Sequence, residues 1–486
     1  MRSMRSQIRT LQHLEPFSLP HRALTQTPRF VHSSSRYNVS ASPIPKTTAP
    51  QMLPSDFSPQ SVPPPESAPS RPAPSVLSKL PISSVLRSYL IMRMSSSPAL
   101  LTFCFNVLRR MLDSKSYLTS IERNPVLAKL LKGTFYAQFC AGETASEVKA
   151  NTMAAKQLLG YDGMILEFAL EVLGGTKPTE AEIKQELEVW KKGMMQSVDV
   201  AQEGDFIGLK WSGLGRHALW LLQNNQPATP EMWEAITTAC DAAAAKGVSI
   251  APGAEEEITN LGLESWNLEL QKRYNTKEQG RAVIYTTYQC YLRGISKRLA
   301  DHLAKAQEGG YIAGVKLVRG AYLAHEPKEL TFDTIEGTHA NYDACAEAVL
   351  KGQWSDVVPA PAPSTPFPAV NVVLATHNLA SVQKAQAIRA TQLVASPPES
   401  LPRLTYAQLQ GMADEITQQL VQNATQKADK QAKVVKCMTW GTTTECLNFL
   451  LRRASENKEA AMRTEDTRRA MGAELMRRFK GVLGFA

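Results

Sequence analysis

Near the end of the chain, LLRRASENKEA sets Arg452 and Arg453 side by side behind an apolar run of Leu447, Phe449, Leu450 and Leu451, with Glu456 one helical turn further on. A guanidinium presents a planar fork that grips a carboxylate through two parallel hydrogen bonds, and it stays charged at any working pH. Helix neighbours point about 100° apart, so the two arginines divide their work on a small anionic ligand. Glu456, at i+4 from Arg452 and i+3 from Arg453, is near enough to fix their rotamers and offset part of their charge. Taken alone, RRxxE better suits a solvated, salt-bridged helix face. The rest of the chain has to decide.

The chain has 486 residues, 43% hydrophobic, enough for one large domain or two or three ordinary ones. Its formal net charge is +9, but residues 1–46 hold seven basic residues against Glu15 alone, so the remainder is close to neutral. That gives no electrostatic case for a nucleic-acid partner. The Arg- and Ser-rich, acid-poor stretch 1–46 has the composition of a mitochondrial import presequence. Residues 47–81, with prolines at 63–65, read as a disordered Pro-rich linker, 82–133 as a helical arm, and 134–486 as the main domain. The seven cysteines form no CxxC and have no histidine at metal spacing, so neither a metal site nor a disulfide framework is expected. The most apolar window, 98–108, is too short to span a bilayer, which leaves only peripheral membrane contact.

From about residue 130 short apolar runs alternate with helical patterns. The runs are MILEFAL (164–170), FIGLKW (206–211), GVSIAP (247–252), AVIYTTYQ (282–289), GVKLVRG (314–320), VNVVLAT (370–376), LTYAQL (404–409) and KVVKCMTW (433–440). Eight strands alternating with helices predict an α/β fold, a (β/α)8 TIM-type barrel with an N-terminal helical arm; an open doubly wound sheet is the alternative. Barrel chemistry sits at the carboxyl ends of strands. Those ends carry Lys210, Gly253-Ala254-Glu255, Gln289, Arg319-Gly320-Ala321-Tyr322, His377-Asn378, Leu409 and Trp440, ahead of the helix with Arg452 and Arg453. Gly213-Leu-Gly215-Arg-His-Ala218 fits a dinucleotide fingerprint after a strand, but without a matching acidic partner it reads as a Gly-rich turn.

GLKWSGLG, TTYQCYL, VKLVRGAYL, LATHN, QLQGM and LLRRASEN, in that order, resemble the proline dehydrogenase family, most closely its fungal mitochondrial members. The resemblance runs from about Leu80 to the C-terminus and includes CAGET at 140–144. It implies FAD held non-covalently over the barrel mouth, L-proline between flavin and barrel floor, and hydride transfer from C5 to give Δ1-pyrroline-5-carboxylate. Electrons would pass to ubiquinone at the matrix face of the inner mitochondrial membrane. On the matching positions, Lys210, Tyr322, Leu409, Trp440, Phe449, Arg452 and Arg453 would bind substrate. Gln289, Lys316, Val318, Arg319, Gly320, Ala321, Thr376, His377, Asn378, Arg453 and Glu456 would bind the flavin. No metal and no separate catalytic acid or base is implied. A preset cation near the flavin makes physical sense because hydride arrival leaves negative charge there.

Four positions depart from the commoner family pattern. Gly253 stands for an aspartate, with Glu255 to Glu257 as nearby carboxylates; Lys316 stands for an arginine; Trp440 and Phe449 stand for tyrosines. Bulky Trp440 argues for proline over hydroxyproline. A folate-type or hydroxyproline-type flavin barrel and a non-catalytic homologue remain the alternatives. In the last segment Met471, Leu475, Phe479 and Val482 recur at helical spacing among arginines, as in a helix that closes the barrel or one that touches anionic membrane.

Overall fold

In the computed structural model residues 75–170, 172, 174–426, 432–456 and 465–484 are described. The expected presequence and most of the expected linker lie outside them. Eight strands form one sheet: β1 (Gly163–Phe168), β2 (Phe206–Gly208), β3 (Ser249–Ile250), β4 (Thr286–Gln289), β5 (Ala313–Val318), β6 (Val370–Ala375), β7 (Arg403–Leu409) and β8 (Ala432–Trp440). Each falls on an expected apolar run. All neighbours pair in parallel, in the order β3-β2-β1-β8-β7-β6-β5-β4. The two ends of that order meet through a parallel bridge between Ile250 and Ile284, where Ile250 N–H donates to Val283 O and Tyr285 N–H to Ile250 O. The sheet is therefore a barrel rather than an open doubly wound sheet.

On the other side of β4, side chains carry the connection to the start of β5. Fully buried Asn275 accepts at Oδ1 from the N–H groups of Val283 and Ile284 (both 2.8 Å) and donates from Nδ2 to Ile284 O and Ile312 O. Gln271, one helical turn earlier, links Gly314 and Thr286 in the same way. A buried backbone group must find a partner, and two amide side chains supply them here.

Strand residues alternate between faces. Ile165, Phe206, Ala251, Tyr285, Val373 and Val435 fill the barrel interior, while Leu166, Ile207, Ile250, Leu317, Leu374 and Val434 belong to the layer between barrel and helices. That parity sets which residues of each strand end can look into the mouth.

The N-terminal arm contains the helices Ile82–Ser95, Pro98–Asp113 and Pro125–Leu131, the last two started by Ser97 and Asn124 caps with proline in the first turn. Residues 76–80, expected as part of a disordered linker, instead form a short turn whose Leu77 and Leu80 are buried against Val85 and Met471. Apolar side chains outweigh the surrounding serines and prolines there. Met471 lies on the C-terminal helix Glu465–Val482, which packs along Ile82–Ser95: a Cβ on Gly472 would stand 3.1 Å from the Tyr89 ring, and Arg478 donates to the carbonyls of Leu77 and Leu80.

Candidate active site

The arginine helix, Thr443–Glu456, begins directly beyond β8. Its start is held by the CAGET segment: Glu143 accepts from both Thr443 N–H (2.8 Å) and Thr443 Oγ1 (2.6 Å), and Lys132 pairs with Glu143 and Glu147. Cys140 bridges Thr439 of β8, and Tyr136 donates to Gly441 O. A carboxylate at a helix N-terminus is favoured by the macrodipole. The whole helix is thereby fixed at a set height above the barrel.

From it Arg453 reaches over the mouth and donates to the Tyr322 hydroxyl at 2.7 Å. Its guanidinium lies 5.0 Å from the Tyr322 ring and 5.4 Å from the Phe449 ring. Lys210, buried at the end of β2, donates to the same hydroxyl and sits 5.1 Å from the same ring. Tyr322 passes its own proton toward Ala254 O. Two cations thus converge on one neutral oxygen. Like charges gathered in a partly buried mouth are stabilised by an anion placed between them. Arg452 is half-buried at the adjacent position, and Glu456 closes the helix with its side chain outside the described set.

A second group forms around the ends of β4, β5 and β6. Arg319 donates to His339 Nδ1, Thr376 Oγ1 (2.6 Å) and Ser381 Oγ (2.8 Å), and lies 4.4 Å from the Tyr342 ring. It is a guanidinium fixed at the rim. Buried Gln289 donates to Glu255 O and accepts from Ala321 N–H, and half-buried Val318 ends β5 beside it. Gly320 has φ +142, and a Cβ there would fall 1.4 Å from the Tyr291 ring, so no other residue fits. Asn378 caps the helix Leu379–Ala395 by accepting from Ser381 N–H.

His377 Nε2 accepts the Leu409 N–H at 3.0 Å. The loss of water around that ring, with Lys436 and Arg319 adding repulsion, pushes its pKa down to about 4 although the residue keeps an open outer edge. The imidazole is neutral at physiological pH, as an acceptor nitrogen requires. Lys316 points into the barrel interior and donates to Pro252 O at 2.9 Å; burial lowers its pKa, against the pull of Cys437 and Glu167.

Two expected substrate contacts sit differently from their neighbours. Trp440 shares the outward parity of Val434 and Met438, and its ring packs 4.9 Å from Phe168 within the layer between barrel and helices. Leu409 is largely open at the rim, 49% exposed. Each of Glu255 to Glu257, the carboxylates nearest to Gly253 in sequence, has a partner of its own. Glu255 accepts from Ser212 N–H, Glu256 from His325, and Glu257 pairs with Arg298. The GxGxxA stretch is a turn whose helix N-terminus is taken by Glu186, which accepts from Arg216 N–H and pairs with its guanidinium.

Sequence reasoning missed the Glu143–Thr443 clamp and Glu167. The first has no local signal because its halves are 300 residues apart. The second could have been found: a charged residue two places beyond Ile165 has the inward parity.

A closed eight-stranded parallel barrel with paired cations at the carboxyl end defines a barrel of the kind that carries its chemistry in its βα loops. The chain belongs to the proline dehydrogenase family, whose model matches residues 152–466, well over half of it. It is 30% identical over 254 residues to "Probable proline dehydrogenase, mitochondrial" of Schizosaccharomyces pombe, covering 51% of this chain and 50% of that protein. This match thus spans half of the relative's length. It is 25% identical over 452 residues to the hydroxyproline dehydrogenase of Mus musculus, covering 81% and 91%. Among solved structures, proline utilization A from Bdellovibrio bacteriovorus, inactivated by N-propargylglycine, has the same fold with a TM-score of 0.55 at 17% identity, covering 79% of this chain and 42% of that one.

Proposed function

We propose that this chain oxidises L-proline to Δ1-pyrroline-5-carboxylate with FAD as hydride acceptor. The observation that carries this reading is the convergence of Lys210 and Arg453 on the Tyr322 hydroxyl. A substrate carboxylate there would receive charge-assisted hydrogen bonds from both cations, and Tyr322 would hold the two donors at a fixed spacing. Arg452 adds positive charge from the neighbouring helix position. Phe449 and Leu409 supply apolar wall, and Trp440 backs it from behind.

The donor set on the opposite side fits a flavin. The Arg319 guanidinium is a preset positive charge, Gln289 and Asn378 offer amides, His377 stays neutral, and Thr376, Ala321 and Gly320 shape a close-approach rim. Lys316 stands below, and Arg453 with Glu456 would face both ligands. FAD, when bound, supplies the acceptor for the C5 hydride. The protein's part is to hold the ring, keep water out, and set cations where negative charge develops.

Electrons would go on to ubiquinone at the mitochondrial inner membrane, with the chain bound peripherally. Supporting that, Ile82, Leu86 and Leu90 lie exposed at four-residue spacing on one helix face with Arg93, and Met476, Phe479 and Val482 are exposed beside Lys480 on the helix packed against it. No helix among the described residues is long and apolar enough to cross a membrane.

The test is an anaerobic absorbance spectrum of the purified protein before and after L-proline, with trans-4-hydroxyproline in parallel. Flavin bands that bleach with L-proline support the reading. Bleaching with hydroxyproline alone moves it to the second reading, which the long match to the mouse enzyme favours. Absence of flavin bands, or bands that neither compound bleaches, overturns it.

A further inference from the structure

The barrel mouth holds one carboxylate that the site as described does not use. Glu167, on β1, has the inward parity of Ile165 and pairs in register with Gly208 on one side and Thr439 on the other. It is half-buried, and no side chain or backbone donor among the described residues hydrogen-bonds it. That is unusual for a carboxylate inside a barrel, because a buried charge is normally paired.

Its surroundings leave it room. Gly208 has no side chain at the paired position, and at Gly253 a Cβ would stand 3.5 Å from Glu167 Oε1, 3.6 Å from Lys210 Cγ and 3.4 Å from Leu209 O. All three are ordinary contact distances, so the Glu167 carboxylate and the Lys210 stem border the space a side chain at 253 would take. Among the described residues, the charged and titratable groups around it are Lys210 just beyond β2, Lys316 from β5 and Cys437 from β8; the first is turned to Tyr322 and the second to Pro252 O. The Lys210 ammonium therefore serves the anion side of the mouth while its stem runs beside a carboxylate with no donor of its own.

We infer that Glu167 accepts the ring N–H of the substrate, and that the carboxylate absent at Gly253 is supplied from β1 instead. This rests on the reading of the chain as an enzyme for L-proline. Proline carries its carboxylate and its secondary amine on the same carbon. A molecule whose carboxylate lies between Lys210 and Arg453 must therefore put its nitrogen close by, and the Glu167 side of the Lys210 stem is where an acceptor waits. An amine held by this acceptor has its C5 fixed relative to its carboxylate, which gives the site two-point recognition of an amino acid over a simple carboxylic acid.

The experiment compares two ligands that differ only at that atom: L-proline, and tetrahydrofuran-2-carboxylate, which carries a ring oxygen and has no N–H. Dissociation constants are measured by flavin spectral shift or calorimetry on the full chain, unsubstituted, as Glu167→Gln, and as Glu167→Gln with Gly253→Asp. Glu167→Gln is nearly isosteric, and thermal midpoint and flavin content report its folding. The inference expects Glu167→Gln to weaken L-proline by roughly tenfold or more while the oxygen analogue changes little. Adding Gly253→Asp should recover part of the loss for L-proline only. Equal losses for both ligands, or no loss for either, would overturn it. If the unsubstituted protein binds no L-proline, the enzyme reading fails and takes the inference with it. If it binds and is bleached by L-proline while the ratio of the two constants is unmoved by Glu167→Gln, the inference alone fails.

Discussion

Arg453 and Tyr322, 131 residues apart in sequence, meet at 2.7 Å across the barrel mouth, with Lys210 on the same hydroxyl. Arg453→Met removes one of two cations that would grip a carboxylate, and the remaining Lys210 cannot reproduce a fork. A charge-assisted hydrogen bond is worth about 1.5–3 kcal/mol, so kcat/KM for L-proline should fall by roughly 10- to 150-fold. Arg468→Met is the control, since Arg468 lies on the C-terminal helix, where it pairs with the partly exposed Glu465. Equal, small losses in both variants would remove Arg453 from the site.

Gly320→Ala should be far more harmful than its size suggests. The new methyl would be driven into the Tyr291 ring from a left-handed backbone position. Overpacking and strain each cost about 1–3 kcal/mol. The expected result is a lowered thermal midpoint and reduced flavin retention, both partly relieved by Tyr291→Ala in the same chain.

Glu143→Gln tests whether the CAGET segment sets the height of the arginine helix. It removes a charged acceptor from Thr443 and a partner from Lys132. KM for L-proline should rise severalfold with kcat much less affected, because the ligand grip is displaced rather than the reacting groups. An unchanged KM would show that β8 alone positions Arg453.

The buried pair Glu264 and His302, 3.7 Å apart, gives a pH test with two opposite signs. Burial raises the Glu264 carboxyl to about 7, and lowers His302 to about 4. The raised carboxyl contributes stability that is present below its unfolded value and lost as pH rises toward about 7. The lowered imidazole contributes stability that is present above its unfolded value of about 6.5 and lost as pH falls toward about 4. In the intact protein the two slopes offset. Glu264→Gln should leave a thermal midpoint that drops on acidification from about 6.5, and His302→Asn one that drops on alkalinisation toward about 7. Parallel profiles in the two variants would contradict the assignment.

The exposed apolar faces give a last prediction. Phe479→Glu with Leu86→Glu should abolish sedimentation with anionic vesicles while turnover with a soluble electron acceptor stays unchanged. Retained sedimentation would remove these two helices from any membrane contact.

How legible was this molecule in its sequence? The eight strands were readable because each is a β-branched or aromatic run between helical patterns, and the ends of those runs named Lys210, Tyr322, Gln289 and Arg319 directly. Phase within a strand was less visible. Trp440 was expected among the substrate contacts, and its parity with Met438 and its packing on Phe168 could not be read from the run itself, while Glu167 was passed over inside an apolar run although it has the parity of Ile165. Short strands hide this most: β3 has only two ladder residues, so sequence offers no alternation to count there. Contacts such as Glu143 with Thr443 depend on a closed chain path and leave no local trace. Leu77 and Leu80 were hidden by their Ser- and Pro-rich neighbours.

The seam between β3 and β4 makes this barrel a hoop fastened by a clasp. Where the other strand pairs share two or more consecutive ladder positions, this pair shares a bridge at one, and side chains add the rest, with Ser249 Oγ donating to Ala282 O and Thr287 Oγ1 to Pro252 O. A hoop opens first at its clasp. Amide hydrogens of Ile250 and Tyr285, which cross the seam, should therefore exchange ahead of those in β5 to β8, and the same springing would let Pro252 and Gly253 move apart from Lys316 and admit a ring past Glu167 without disturbing the opposite wall.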